Sequence, residues 1–129
     1  MHAGNRARDW LTQAEDDLRF ARCALRDGFY SQCCFTCQQV AEKALKAILY
    51  KRGVQIILTH SLVKLVEELR IDGRLRKAAG TLDQYYVSAR YPDALPGAAP
   101  CETFTKEQAR EALKHASGFV EVAVRRFKR

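Results

Sequence analysis

Apolar residues recur along this chain at alternating spacings of four and three, the period of an amphipathic helix. In the first segment they are Ala7, Leu11, Ala14, Leu18, Ala21 and Leu25, with charged residues filling the other face. The pattern predicts one long helix stopping at Asp27-Gly28, where glycine accepts the left-handed conformation of a helix C-terminus. A second helix is expected from Ser31, a good N-cap residue, to Lys51 or Arg52, with Gly53 ending it. Its stripe of Cys34, Cys37, Ala41, Ala44 and Ile48 is widened by Cys33, Val40, Leu45 and Leu49, the broad face of a central helix. Small residues in its first half allow a neighbour to approach closely, and the bulkier second half fills space.

Val54 to Leu58 is a short apolar run with no second strand to pair with, so it reads as a loop packed on the bundle. Ser61 then caps a short helix with Leu62, Leu65, Val66 and Leu69 on one face, closed at Asp72-Gly73. A fourth helix uses Leu75, Ala79, Leu82, Tyr86 and Ala89 and must end before Pro92. Residues 93–104 hold Pro96, Gly97 and Pro100 and read as a loop of a length that often carries function. Thr105-Lys106-Glu107-Gln108 matches a capping box, opening a last helix with Ala109, Leu113, Ala116, Val120, Ala123 and Phe127 in phase. The expectation is one all-α domain over residues 1–129, an up-and-down bundle of about five helices.

Composition narrows the class. With 47% hydrophobic and 29% charged residues the chain has the make-up of an ordinary soluble globule, so a packed core is expected. No stretch reaches the ~18 apolar residues of a membrane span. The opening MHAGNRARDWLTQAEDD has no apolar signal region, so neither export nor membrane insertion is expected. The 5 cysteines are an odd set, and four of them fall in helical patterns. That argues against a disulfide framework and for the reducing cytoplasm, with most thiols serving as small core residues. The net charge of +7 is uneven. Lys43, Lys46, Lys51 and Arg52 face only Glu42 in their segment, and the chain ends Arg125, Arg126, Phe127, Lys128, Arg129. Two such basic zones attract nucleotides, RNA or an acidic partner, or simply keep the protein soluble.

The run Gln38-Gln39-Val40-Ala41-Glu42-Lys43-Ala44-Leu45-Lys46-Ala47-Ile48-Leu49 resembles the second helix of HEPN domains. Three more pieces are similar in the same order: Ala14-Glu15-Asp16-Asp17-Leu18, Thr59-His60-Ser61-Leu62 and Ala89-Arg90-Tyr91-Pro92-Asp93. The resemblance implies a helical bundle that forms a homodimer, with a minimal nucleotidyltransferase encoded beside it in a system resembling a toxin–antitoxin pair. Many members of that family are metal-independent ribonucleases with an Arg-x4-6-His motif contributed by two protomers. In such a site arginine stabilises phosphate charge and histidine handles the 2′-hydroxyl proton. This chain departs from the motif: Arg90 is followed by Tyr91-Pro92-Asp93-Ala94-Leu95-Pro96, with no histidine four to six residues on.

Two other pairs imitate the motif. Arg110 and His115 have four residues between them but lie about 140° apart around a helix, and Arg52 and His60 are separated by too long a loop. His60 either aims its imidazole at a ligand or caps the third helix. Arg90, Tyr91 and Asp93 form either a ligand-facing corner or an internal ion pair. Tyr30, Tyr50, Tyr85, Tyr86, Tyr91 and Phe104 either stack bases or sit in the core. Cys33 and Cys37 share a helix face, but no second His or Cys pair matches their spacing, so no metal is expected. No Gly-rich phosphate loop is present, and no cofactor is expected.

The leading expectation is a non-catalytic or catalytically altered protein that engages nucleotide, RNA or a nucleotidyltransferase through a basic rim. Lys43, Lys46, Arg90 and the Arg125–Arg129 tail are the candidates for the rim, with Tyr91, Asp93 and His60 beside it. One rival is a ribonuclease toxin in which Arg90 or Arg110 works with His60 or His115 after assembly. The other is a purely structural interaction module.

Overall fold

A computed structural model describes residues 6–128. In chain order the helices are α1 (Ala7–Arg26), α2 (Tyr30–Lys51), α3 (Leu62–Glu68), α4 (Arg74–Asp83), α5 (Tyr85–Ser88), α6 (Pro100–Thr103) and α7 (Lys106–Phe127), with a 3-10 turn at Pro92–Ala94. No strand occurs among the described residues. The three long helices pack on one another, and α3, α4 and α5 lie against α2. Cys33 and Ala109 meet near the starts of α2 and α7, while Lys51 and Phe127 meet near their ends. Those two helices therefore run parallel, with α1 antiparallel to both.

The expected apolar stripes are the core. Ala7, Leu11, Ala14, Leu18 and Ala21 are buried on α1, but at its last turn Ala24 is buried and Leu25 is only half-buried. Every stripe residue of α2 is buried, which confirms it as the central helix. On α7 the largest fully buried side chain is Phe119, outside the expected stripe, and Leu113 and Phe127 lie half-buried at its margins.

The turns explain where helices stop. After α1 the Phe29 amide donates to Ala24 O at 2.8 Å and the Gly28 amide to Leu25 O at 3.3 Å, with Gly28 at φ 88°. This left-handed closure satisfies carbonyls the helix leaves open. The same pattern follows α3, where Ile71 N donates to Val66 O at 2.9 Å and Arg70 holds the left-handed position at φ 55°.

Four expectations need correction. Ser31 is not the N-cap of α2: the tight turn carries the chain straight into the helix at Tyr30, and Ser31 is buried with its hydroxyl donating to Gln32 Oε1 at 3.0 Å. The fourth helix is not continuous, since it tightens at Gln84, whose amide reaches back to Thr81 O at 3.3 Å. That break lets Tyr85 enter the core against Phe104, with ring centroids 5.4 Å apart, and leaves Tyr86 half-buried beside the loop before α3. Residues 93–104 are not wholly irregular, because Pro100 opens α6 at a first-turn position that needs no amide hydrogen. The segment from Val54 to Leu58 is strandless, as expected, but only Val54 and Ile57 pack on the bundle; Ile56 and Leu58 face solvent.

Candidate functional site

On α2 three polar residues, Gln38, Glu42 and Lys46, follow one another at i, i+4 spacing inside an otherwise apolar surface, and all three are buried. Burying one unpaired charge costs several kcal/mol, so each must be compensated. The Glu42 carboxylate accepts from Lys46 Nζ at 2.9 Å and from Gln38 Nε2 at 3.4 Å, and its Oε2 lies 3.0 Å from His60 Nδ1. Gln38 also donates to the His60 carbonyl at 3.2 Å. Facing a carboxylate, Nδ1 is the ring nitrogen that carries hydrogen, and the side chain as a whole is 56% exposed. Lys46 is therefore no part of a surface rim, because its ammonium is inside the fold and also lies 5.9 Å from the Trp10 ring centroid. Lys43 is likewise engaged, with Nζ 2.6 Å from Asp17 Oδ2.

His60 sits just before α3, whose N-terminus is tied to the end of α4. Asp83 accepts from Leu62 N at 2.8 Å, from Val63 N at 3.1 Å and from the Ser61 hydroxyl at 3.3 Å, while Ser61 Oγ accepts from Lys64 N at 3.3 Å. Ser61 is the expected cap, and the helix-capping alternative for His60 falls away. The imidazole instead stacks on Tyr86, with centroids 5.1 Å apart and planes inclined by 22°.

Tyr86 connects His60 to Arg90. The Arg90 guanidinium lies 5.0 Å from the Tyr86 centroid, 4.2 Å from Phe35 and 4.8 Å from Tyr91, and its Nε donates to Tyr86 O at 2.9 Å. Three π-faces thus hold an exposed cation that has no ion pair among the described residues. The internal Arg90–Asp93 pair is not formed; Asp93 is exposed on the 3-10 turn, and Tyr91 is 51% exposed. Arg90 borders a groove of about 450 Å³ whose apolar walls include Phe20, Phe35, Pro92 and Pro100. Because Arg90 and His60 each sit about 5 Å from the same ring, they lie within about 10 Å of each other.

Arg110 and His115 are not brought together: Arg110 pairs with Glu107 at 3.2 Å, and His115 Nε2 lies 3.2 Å from Glu111 Oε1. In the C-terminal tail, Arg126 donates to Leu69 O at 3.1 Å and Lys51 bonds the Phe127 carbonyl, while Arg129 lies outside the described residues. All five cysteines are free thiols, three of them buried on α2. Among the described residues no cluster of three or more ligand-type side chains could hold a metal. No helix among them is long and apolar enough to cross a membrane.

The sequence profile described as "HEPN domain" matches residues 7–127. The chain belongs to the HEPN family. Among solved structures, TT1696 from Thermus thermophilus superposes on this HEPN chain with TM-score 0.89 at 40% identity, covering 95% of this chain and 98% of that one. ST0689, an archaeal HEPN homologue, gives TM-score 0.78 at 36% identity over 92% and 94% of the two chains. A HEPN domain protein of Thermotoga maritima, tm0613, gives 0.74 at 30% identity over 94% and 98%. The Methanocaldococcus jannaschii protein named Putative toxin MJ1304 is 29% identical over 128 residues, spanning 90% of this chain and 84% of that protein. Within the HEPN-like run on α2, apolar residues build the core, Gln38 and Glu42 hold His60, Lys46 pairs with Glu42 and Lys43 pairs with Asp17.

Proposed function

We propose that this HEPN protein is the nucleotide- or RNA-engaging member of a toxin–antitoxin-like system in the cytoplasm. It acts as a homodimer beside a minimal nucleotidyltransferase, and it binds rather than cleaves. The observation that carries this reading is Arg90, held by Phe35, Tyr86 and Tyr91 at the edge of an apolar groove with no carboxylate among the described residues to neutralise it. A guanidinium in that setting suits a phosphate, and exposed Tyr91 offers a flat face to a base. Asp93, exposed at the same corner, is suited to accept from a base amino group or a ribose hydroxyl. The relative named as a toxin supports the toxin–antitoxin setting.

A second reading, a metal-independent endoribonuclease, is favoured by one feature: His60 is oriented by Glu42 and stacked on the ring that also carries Arg90. Such a carboxylate–imidazole pair is built for proton transfer, and the arginine suits phosphate charge. One experiment separates them. Purified protein is incubated with labelled RNA in the presence of a metal chelator, and binding and cleavage are followed together. The expected result is retention of RNA without cleavage, with affinity falling at least tenfold in Arg90→Ala. Cleavage that disappears in His60→Ala would replace the first reading by the second.

A further inference from the structure

The end of the bundle where α1 turns into α2 carries a second groove, separate from that of Arg90. Arg22 and Arg26 project into it from α1, Lys106 and Arg110 from α7, and Tyr30 lies among them; its volume is about 420 Å³. Each cation pair is spaced i, i+4 on its own helix, an arrangement that repels. Among the described residues two carboxylates answer the four charges: Asp27 at 3.2 Å from Arg26, and Glu107 at 3.2 Å from Arg110, both exposed. Arg22 and Lys106 have no ion pair among the described residues. Exposed ion pairs are worth little, so the groove keeps a net positive potential that the fold itself does not relieve.

Its position matters as much as its charge. Arg22 lines this groove while Phe20, two residues earlier on the same helix, lines the Arg90 groove; Tyr30 lines this one while Gln32 lines the other. The two grooves therefore flank the α1–α2 turn on opposite sides. On the turn itself stands Phe29, 55% exposed. A path from Arg22, Arg26, Lys106 and Arg110 over Tyr30 and Phe29 to Phe20 and Arg90 has cations at its two ends and aromatic rings between them.

We infer that this path holds a single strand of RNA, its phosphodiesters on Arg22, Arg26, Lys106 and Arg110 and its bases against Tyr30 and Phe29. Positive grooves that track a backbone beside stacking rings are how single strands are bound without sequence preference, over roughly 4–16 nucleotides. An acidic peptide would satisfy the charges but would leave the exposed Phe29 ring without a use. The inference rests on the reading above only in sharing the Arg90 groove.

The test uses the full chain, fluorescence anisotropy and three probes: a mixed-sequence RNA of ~10 nucleotides, AMP, and an oligoglutamate of equal charge. The double variant Arg22→Ala/Arg110→Ala changes exposed side chains and leaves the core intact. Its RNA affinity is expected to fall at least tenfold at low salt. The slope of log affinity against log salt should drop by about 0.7 for each lost phosphate contact. AMP binding should stay unchanged, and Arg22→Lys/Arg110→Lys should restore most of the slope. Unchanged RNA affinity and slope in the double alanine variant would overturn the inference, as would oligoglutamate binding as tightly as RNA. If RNA affinity is unchanged in Arg90→Ala, yet still depends on Arg22 and Arg110, the Arg90 reading falls and this one stands.

Discussion

Glu42 shows how much of the site is fixed at single residues. Its carboxylate is almost closed off from water yet has three polar neighbours, so removing any of them leaves charge or hydrogen-bonding capacity unanswered in the core. The buried Cys34 thiol on the same helix is of the opposite kind, since burial favours its neutral form. Burial pushes the Cys34 thiol up to about 12 from its ordinary 9.0. The unfolded chain releases that proton near 9 while the folded chain keeps it, so above this pH the unfolded state binds fewer protons and stability falls as pH rises. Between pH 8 and pH 10 the urea-unfolding free energy is expected to drop by about 1 kcal/mol through this group. Cys34→Ala, though less stable at pH 8, should show a smaller drop; an equal drop would remove Cys34 as its source. Sequence displayed these thiols correctly as core, because cysteine behaves as a small apolar residue. It misled for Lys46, because a lysine in a basic segment reads as solvent-facing. The available signal was the i, i+4 line of Gln38, Glu42 and Lys46 within an apolar stripe, which marks an internally satisfied network.

Among the elements, those that sequence located well carry their own instructions. The apolar period and the closing turns of α1 and α2 are local, as is the capping box of α7, in which Thr105 and Gln108 satisfy each other's amides at 2.9 and 3.1 Å. The division between α4 and α5 is not local. It lies next to Asp83, whose carboxylate is committed to the N-terminus of α3 some twenty residues earlier in the chain. No reading of local propensity reveals a cap supplied by another helix. Helix α3 has only 7 residues, too short to persist alone, and depends on that cap and on burying Leu62, Leu65 and Val66. Asp83→Ala is therefore expected to destabilise the fold by about 2 kcal/mol, since it orphans two amides that an ionised acceptor had satisfied. It should also loosen the loop that holds His60 and Tyr86 together, so hydrogen exchange at Leu62 and Val63 should rise more than at α7. Uniform protection across both elements would mean that the cap contributes nothing specific.

Over the whole molecule charge sets a competition that no single pair decides. Counting exposed ion pairs such as Arg6–Asp9, Arg19–Asp16 and Arg76–Asp72 suggests a surface that salt would weaken. Each is worth little, because its side chains lie largely in water. Against them stands a net charge of +7, with basic residues gathered at both ends of the long helices. Arg22, Arg26, Lys106 and Arg110 gather at one end; Lys51, Arg52 and Arg126 at the other. Because α1 runs antiparallel to α2 and α7, residues far apart in sequence are assembled into these two groups, which is why the second groove was not legible from segment charges alone. Folding brings the like charges closer than they are in the unfolded chain, and screening relieves that cost within a distance of about 10 Å at 0.1 M salt. The melting temperature should accordingly rise by roughly 2–5 °C between 20 and 300 mM sodium chloride, by ~1 kcal/mol of relieved repulsion. In Arg22→Ala/Arg110→Ala the low-salt melting temperature should already be higher and the salt response smaller. A melting temperature that falls with salt in the wild type would mean that the ion pairs outweigh the repulsion, and that the basic groove has no unrelieved charge to offer a phosphate chain.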